Sequence, residues 1–329
     1  RVENNTDRPV TLTPYALLSQ HGVPAGLATG IVHEGAIGYV GDTYFSTKYA
    51  AWSKLETNPE THTGASGWIG ITTRYFFTGL IPDQTDPTIF RTAYRGVQNP
   101  NDPNAHPRFQ VDTQGTSRTI APQDTTTATM RVFAGAKELK TLEAYQKSLA
   151  LTHFNLVVDY GWFYFLTQPF YHVLAFIYAY VGNFGVAILI FTLMLRLAVF
   201  PLANTSFKSF AKMKIVGPQI QEIQQRYAND RPKMQEELVK LYTKEKVNPV
   251  SGCLPMLVQI PIFFAMYKVI SVSIDMRHAP FFGWIHDLTA PDPTSVFNLF
   301  GLLPYDVHNW LHFGVWPCVL FVLIMIQTR

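Results

Sequence analysis

One segment of this 329-residue chain limits its possible folds more than any other. The stretch from Gly182 to Leu202 is almost entirely apolar and holds a single charged residue, Arg196. As an α-helix rising about 1.5 Å per residue, it would cover the hydrocarbon core of a bilayer, about 30 Å. We therefore predict a transmembrane helix at about 182–202.

Two later segments carry a similar signal. We predict further spans at about 254–272 and at about 313–329. The composition agrees with a membrane protein, because 15% of the residues are charged, whereas soluble domains average about 25%. The formal net charge of +3 is too small for a nucleic-acid-binding face, so we expect no nucleic-acid partner.

The charges between the spans indicate the orientation. Segment 206–246 holds nine basic and five acidic residues, whereas segment 273–311 holds one basic and four acidic residues. Under the positive-inside rule the first segment is cytoplasmic and the second lies outside. Counting spans then places residues 1–160 outside as well. In a bacterium this predicts a multi-pass protein of the inner (plasma) membrane with a periplasmic N-terminal domain.

Residues 1–150 are predicted to form an all-β domain. Short β-rich runs alternate with Gly, Asn-Pro and Asp-Pro turns, which favours a sandwich over an α/β sheet. The runs are Val10–Tyr15, Gly70–Phe77, Thr88–Tyr94, Phe109–Val111 and Thr125–Phe133. A helix at Ala136–Leu151 would close the domain. The aromatic-rich segment 151–181 then predicts an amphipathic helix at the membrane interface, where Tyr and Trp are enriched.

Segment 205–247 is predicted to form a cytoplasmic helical hairpin. Its apolar residues recur at steps of three and four on both sides of a turn at Asn229–Pro232, as in an antiparallel helix pair. The apolar contact between the two arms is short, so we expect the hairpin to be mobile. We also expect it to receive substrates or targeting factors. Its basic residues include Lys208, Lys212, Lys214, Arg226 and Arg231.

Arg196 is the most informative residue, because an arginine inside a span is costly unless it faces water or a partner. By helix rise it lies about 9 Å from the cytoplasmic boundary. Gln259 and Gln327 reach a similar depth on the other two spans, and Thr192 shares the helix face of Arg196. Arg196 therefore either lines a polar cavity with these residues or extends its side chain to the headgroups. The convergence of polar residues favours the cavity for Arg196. For Lys268, which is near the outer end of its span, we instead expect the side chain to extend to the headgroups.

The sequence lacks the motifs of common enzymes. It has no P-loop, no dinucleotide fingerprint and no Gly-x-Ser-x-Gly, and its His and Cys residues lack metal-ligand spacing, so we expect no catalysis, cofactor or metal. A transporter or channel would also have a polar intramembrane site, but ion-coupled transport usually needs a carboxylate at depth, and the predicted spans contain none. A membrane-anchored periplasmic enzyme or sugar-binding module would need acidic and aromatic residues clustered in one cleft of residues 1–150.

Many segments, in order over about half of the chain, resemble the YidC/Oxa/Alb family of membrane protein insertases. Residues 1–150 and Val158–Trp162 are similar, more loosely, to the large periplasmic β-supersandwich domain of its Gram-negative members. The resemblance therefore implies an α-helical integral membrane core, at 182–329, joined to an all-β periplasmic domain. The segments are Val181–Gly185, Arg196–Leu202, Ala211–Lys214, Gln219–Gln221, Leu241–Pro249, Gly252–Pro255, Gln259–Phe263 and Ala279–Leu288.

The resemblance implies an energy-independent insertase and foldase with a hydrophilic groove open to the cytoplasm and to lipid. The family's groove arginine falls on Arg196, and its polar groove positions match Thr192 and Gln259. The implied partners are nascent membrane proteins, the Sec translocon, the ribosome or targeting factors, and membrane lipid. Compared with the family pattern, the chain lacks the N-terminal anchor, the last core span and the basic tail, so we expect it to be part of a longer protein.

Overall fold

The chain divides into two compact units in a computed structural model. The β unit comprises Arg1–Gly161 and Ser271–Asp275, and the helical unit comprises Trp162–Ile270 and Met276–Arg329. The structure describes residues 1–24, 32–56, 58–97, 106–228, 230–245, 254–290, 292, 294–303, 307–308 and 313–328.

Antiparallel sheets build the β unit. Its described strands are β1 Val2–Glu3, β2 Val10–Leu12, β3 Tyr15–His21, β4 Gly35–Val40, β5 Thr43–Lys48, β6 Glu60–Gly64, β7 Gly67–Thr72, β8 Phe76–Pro82, β9 Thr88–Arg95, β10 Arg108–Gln114, β11 Arg118–Ile120, β12 Thr125–Thr126 and β13 Met130–Ala136. A five-stranded sheet has the order β13-β8-β7-β4-β5, and a four-stranded sheet has the order β3-β10-β9-β6. Two short sheets pair β1 with β12 and β11 with β2.

The main apolar core of this unit lies between the two larger sheets. Leu80 of the five-stranded sheet and Phe90 of the four-stranded sheet are both buried and belong to one cluster. Helix α1 (Tyr49–Trp52) adds Trp52 to this cluster, and the Trp52 indole N–H donates to the carbonyl of Ala93 at 2.9 Å. Two antiparallel sheets packed around one core confirm the predicted all-β sandwich.

The other face of the five-stranded sheet is covered by helix α2 (Leu139–Ser148) and the 3₁₀ turn Phe154–Val157. Trp68 points to this face, since its neighbour Ile69 lies in the core between the sheets. The rings of Trp68 and Phe154 meet edge to face with their centroids 5.5 Å apart. Helix α2 lies inside the predicted closing helix, Ala136–Leu151, but is shorter at both ends.

Several predicted strand bounds were wrong. Val10–Tyr15 is two strands, because Pro14 has no N–H to donate to a ladder and ends the pairing of β2. Gly70–Phe77 is also two strands, separated by a turn in which the amide of Thr73 donates to the carbonyl of Phe76 at 2.9 Å. Strand β4 was not predicted, because it is buried on both faces and so shows no polar and apolar alternation.

Helix α4 is the longest element of the helical unit. It runs from Phe184 to Arg226, whereas the sequence predicted a span ending near Leu202 and a separate hairpin arm. Pro201 and Pro218 both lie inside the helix. A proline removes one helix hydrogen bond and bends a helix without always ending it, so α4 continues through both residues.

The remaining described helices of this unit are α3 Tyr164–Val181, α5 Arg231–Lys244, α6 Leu254–Val272 and α7 Val315–Thr328. Helix α3 begins later than the predicted segment 151–181. Helix α5 is capped by Asp230, whose side chain accepts from the amide of Lys233 at 3.2 Å, and it packs against α4 to form a helical hairpin. Asn229 of the predicted turn and residues 246–253, which include Val247 of the predicted hairpin, lie outside the described residues.

Within the part of the chain that the structure describes, α4 is the one helix that is long and apolar enough to cross a bilayer. The apolar stretches of α6 and α7, at Met256–Val272 and Val315–Gln327, are shorter. The spans at 254–272 and 313–329 therefore stay predictions.

Candidate functional site

A cavity of about 280 Å³ lies between α4 and α6. Thr192 and Arg196 border it on α4, and Gln259 borders it on α6. The structure thus brings together three of the four residues that the sequence predicted for a polar cavity. The other lining residues are apolar: Leu195, Val199, Ala203, Ile262, Phe263 and Met266.

Helical spacing explains why these side chains share one surface. Thr192, Arg196, Val199 and Ala203 follow one another at steps of four, three and four, so they form one stripe along α4. The lining residues of α6 follow the same kind of spacing. Leu193 lies between Thr192 and Arg196 in the sequence of α4, but it does not line the cavity and is 61% exposed. The polar side chains are therefore gathered on the facing stripes, while apolar side chains cover the outer surface.

Arg196 gives the cavity its charge, since the other lining residues are uncharged. Among the residues that the structure describes, no hydrogen bond or ion pair to Arg196 is found. Arg196 is exposed at the cavity, so its guanidinium is accessible to an anionic group.

Gln327 is not part of this cavity. It lies near the end of α7, whereas the residues that line the cavity belong to α4 and α6. Gln327 was grouped with Arg196 on helix rise alone. Rise fixes a position along one helix but not the distance between helices. A contribution of Gln327 to the same site stays a prediction.

Helix α3 packs against α4 beside the cavity. Phe170 and Phe191 meet edge to face with ring centroids 5.0 Å apart, and Tyr178 stacks on Phe184 with centroids 3.8 Å apart. Phe191 is buried, whereas the next residue, Thr192, lines the cavity. Helix α3 therefore packs on a face of α4 next to the one that borders the cavity.

This packing was not predicted from the sequence. The aromatic residues of 151–181 were interpreted as a group with a common preference for the membrane interface. Only one face of α3 is exposed, and the opposite face is buried. The signal that could have revealed this was the helical spacing of the buried residues, which are Thr167, Phe170, Tyr171, Leu174 and Ile177.

The basic residues predicted for the hairpin are all exposed. Arg226 pairs with Glu222 one turn earlier, at 2.7 Å. On α5, hydrogen bonds to Glu236 and then Glu237 raise the pKa of Lys240. No ion pair is found among the described residues for the other predicted basic residues, which are Lys208, Lys212 and Lys214 on α4 and Arg231 at the start of α5.

Comparison with known proteins identifies two families along the chain. Residues 1–173 match the family described as YidC periplasmic domain, and residues 176–329 match the family described as 60Kd inner membrane protein. Together the two matches cover nearly all of the sequence.

Individual relatives agree with both matches. The membrane protein insertase YidC of Beijerinckia indica subsp. indica is 46% identical over 336 residues, which cover 100% of this chain and 54% of the relative. That of Brucella melitensis is 44% identical over 330 residues, which cover 99% of this chain and 52% of the relative. The chain thus spans about half the length of the curated relatives it matches. The sequence matches cover almost the whole chain, and the structure has an all-β N-terminal region followed by an apolar helical region. The chain therefore belongs to the YidC family of membrane protein insertases.

Proposed function

We propose that this protein acts as a membrane protein insertase and foldase, and that the cavity between α4 and α6 is a groove that receives nascent membrane proteins. The observation that carries the proposal is the placement of Thr192, Arg196 and Gln259 around one otherwise apolar cavity. The polar tail of a substrate pays a large desolvation cost in hydrocarbon. A polar groove that reaches into one leaflet shortens the apolar distance that the tail must cross.

Arg196 adds an attraction for acidic residues of the incoming tail. Two unit charges 4 Å apart attract by about 4 kcal/mol at an effective dielectric constant of about 20, against about 1 kcal/mol in bulk water. A single charge in the groove can therefore bias the entry of an acidic tail without nucleotide hydrolysis. No covalent bond is made or broken, so the proposed activity is not that of an enzyme.

The proposed orientation follows from the charges. Helix α4 enters the inner membrane from the periplasmic side near Phe184, and its C-terminal half forms the cytoplasmic hairpin with α5, in accord with the positive-inside rule. Spans at about 182–202, 254–272 and 313–329 make the protein multi-pass, and residues 1–160 are periplasmic. Helix α3 lies at the interface and turns its exposed aromatic residues toward lipid, among them Phe165, Phe176 and Tyr180.

The same arrangement suggests where partners bind. The unpaired lysines of the first hairpin arm suit the ribosome or targeting factors on the cytoplasmic side, since a cluster of like charges attracts an oppositely charged surface. The periplasmic β unit would contact the Sec translocon. The apolar outer surfaces of α4 and α6 face lipid, and they give a substrate segment a lateral exit from the groove into the bilayer.

Substitution of Arg196 tests the proposal. Arg196→Ala should reduce the insertion of a substrate with an acidic tail by about tenfold or more, because about 1.4 kcal/mol of lost attraction corresponds to a factor of ten. Arg196→Lys should retain insertion, since only the charge is required. Insertion is measured in proteoliposomes as protection of the translocated tail from added protease. The matched control is the same substrate with a neutral tail, which should depend little on residue 196. Equal insertion of both substrates by Arg196→Ala and by the unsubstituted protein would contradict the proposal.

A further inference from the structure

The segment His278–Leu288, here called the 278–288 loop, forms a closed turn in the helical unit. The amide of Leu288 donates to the carbonyl of Ala279 at 3.1 Å, and His278 Nδ1 lies 3.1 Å from Asp287 Oδ2. Gly283 adopts a positive φ of 63°, a conformation that a side chain would disfavour. These contacts give the loop a defined shape of its own, so it can transmit a constraint from one neighbour to another.

Asn183 joins this loop to the start of α4. Its Oδ1 caps the helix by accepting from the amide of Val186 at 3.1 Å, while its Nδ2 donates to the carbonyls of Pro280 and Phe281, both at 3.3 Å. The two functions need opposite ends of one carboxamide. A serine or aspartate could cap the helix, but neither has an NH2 group for the two carbonyls.

Gly185 allows the 278–288 loop to pack closely against the start of α4. A Cβ at this position would lie 2.2 Å from Cδ2 and 2.5 Å from Cγ of Phe281, so the phenyl ring lies directly against the helix backbone. By contrast, a Cβ at Gly217, farther along the same helix, would meet no atom within 4 Å. The close packing of Phe281 therefore requires a residue without a side chain at position 185. No neighbouring atom requires one at position 217.

The loop also contacts the start of α7. Trp284 and Trp316 stack with ring centroids 6.2 Å apart and an interplanar angle of 28°. Trp316 is the second residue of α7. The 278–288 loop thus holds the first turn of α4 through Asn183 and Phe281, and the first turn of α7 through Trp284.

We infer that Asn183 is a positioning residue that fixes the 278–288 loop on α4 and thereby sets the position of the first turn of α7 relative to α4. The inference deepens the proposed function and rests on it, because α4 carries Arg196. From Trp316 to Gln327, α7 extends about 17 Å, so a tilt of about 10° at its start would move the far end by about 3 Å. A junction at the start of both helices therefore controls how close the far end of α7 comes to the groove.

The experiment compares Asn183→Asp and Gly185→Ala with the matched control Gly217→Ala. Asn183→Asp keeps the helix cap but removes both N–H donors and places a carboxylate against two carbonyl oxygens. Gly185→Ala keeps Asn183 and displaces Phe281. Spin labels at Ile190 on α4 and Leu320 on α7, in a protein whose native cysteines are replaced by serine, report the distance between the helices in proteoliposomes. Insertion of the acidic-tail substrate is measured on the same samples without labels.

We expect both variants to broaden the distance distribution and to lower insertion several-fold, while Gly217→Ala changes neither. Hydrogen exchange at Val186 and Ala187 should stay as in the unsubstituted protein for Asn183→Asp, which a general loss of α4 structure would not allow. If either variant fails to accumulate, Trp284→Leu, which leaves α4 untouched, should give the same broadening. An unchanged distance distribution, or a broadened one with unchanged insertion, would overturn the inference. Arg196→Ala should lower insertion without broadening, so failure of the groove proposal is distinguishable from failure of this one.

Discussion

Phe170 of α3 and Phe191 of α4 meet edge to face with their ring centroids 5.0 Å apart, and the residue that follows Phe191 is the cavity-lining Thr192. Consecutive residues of an α-helix point about 100° apart, so α4 packs on α3 with one face and borders the cavity with another. The direction in which the polar residues of α4 point therefore depends on this packing.

The first prediction concerns the strength of this ring contact. Phe170→Leu, Phe191→Leu and the double substitution form a double-mutant cycle in which side chains of similar size remain but the ring pair is lost. We expect a coupling of about 1 kcal/mol between the two positions, as is typical of aromatic pairs. The measurement is the free energy of unfolding of the detergent-solubilised protein. Additive effects of the two substitutions would show that the ring contact itself contributes nothing.

The cavity could be predicted in part because intramembrane polar residues are rare and costly. Arg196, Thr192 and Gln259 stand out in apolar segments, and their depth follows from helix rise. Gln327 satisfied the same test but does not line the cavity, because depth along one helix does not determine the packing between helices. The contacts of Asn183 could not be foreseen either, since they depend on a loop almost 100 residues later in the chain.

The sandwich architecture was predictable from turn-punctuated β-rich runs, but its strand bounds were not. β4 is buried on both faces and lacks the alternation that reveals a half-buried strand. The continuity of α4 was missed for a different reason. The apolar run ends near Leu202 and a polar segment follows, but a change in polarity does not end a helix, and α4 continues through Pro201 and Pro218.

The second prediction concerns a buried carboxylate in the β unit. Asp112 of β10 is almost fully buried, and it accepts from Arg91 Nε at 2.7 Å and from Gln110 Nε2 at 2.9 Å. Arg91→Ala would leave this carboxylate without its cationic partner. The Arg91 side chain is about one third exposed, but that of Asp112 is 3% exposed, and leaving a buried charge without its partner costs about 3 kcal/mol. We expect a loss of that size in the free energy of unfolding of the β unit, measured by urea titration and proteolysis.

The control for this prediction is Arg118→Ala. Arg118 pairs with Asp86, but both side chains are about one third exposed, so solvent screens the pair. Such pairs contribute about 1 kcal/mol or less. Equal losses for Arg91→Ala and Arg118→Ala would mean that burial of Asp112 does not determine the cost.

The third prediction concerns the charge on the first hairpin arm. Replacing Lys208, Lys212 and Lys214 together by Glu should reduce insertion several-fold at low salt, because the substitutions reverse the unpaired positive charge there. Interactions between exposed charges are screened beyond about 10 Å at about 0.1 M salt, so the difference should shrink as the salt concentration rises. Insertion is measured from ribosome-bound nascent chains.

Exchange of the paired residues is the control for this arm. Glu222→Arg combined with Arg226→Glu keeps the net charge and the ion pair of the same helix. It should insert substrates as the unsubstituted protein does. A triple lysine reversal with normal insertion at low salt would contradict a role of this arm in receiving substrates.

The most direct test of the groove is the accessibility of its residues to water. With Cys253 and Cys318 replaced by serine, single cysteines are placed at Arg196 and Gln259, and at Leu193, which is exposed but does not line the cavity. A membrane-impermeant thiol reagent is then added to the cytoplasmic or the periplasmic side. We predict rapid labelling of the cysteines at 196 and 259 from the cytoplasmic side, little labelling from the periplasmic side, and little labelling at 193 from either. Cysteines at 196 and 259 that resist the reagent from the cytoplasmic side would show that Arg196 extends to the headgroups from an apolar span and that no groove exists.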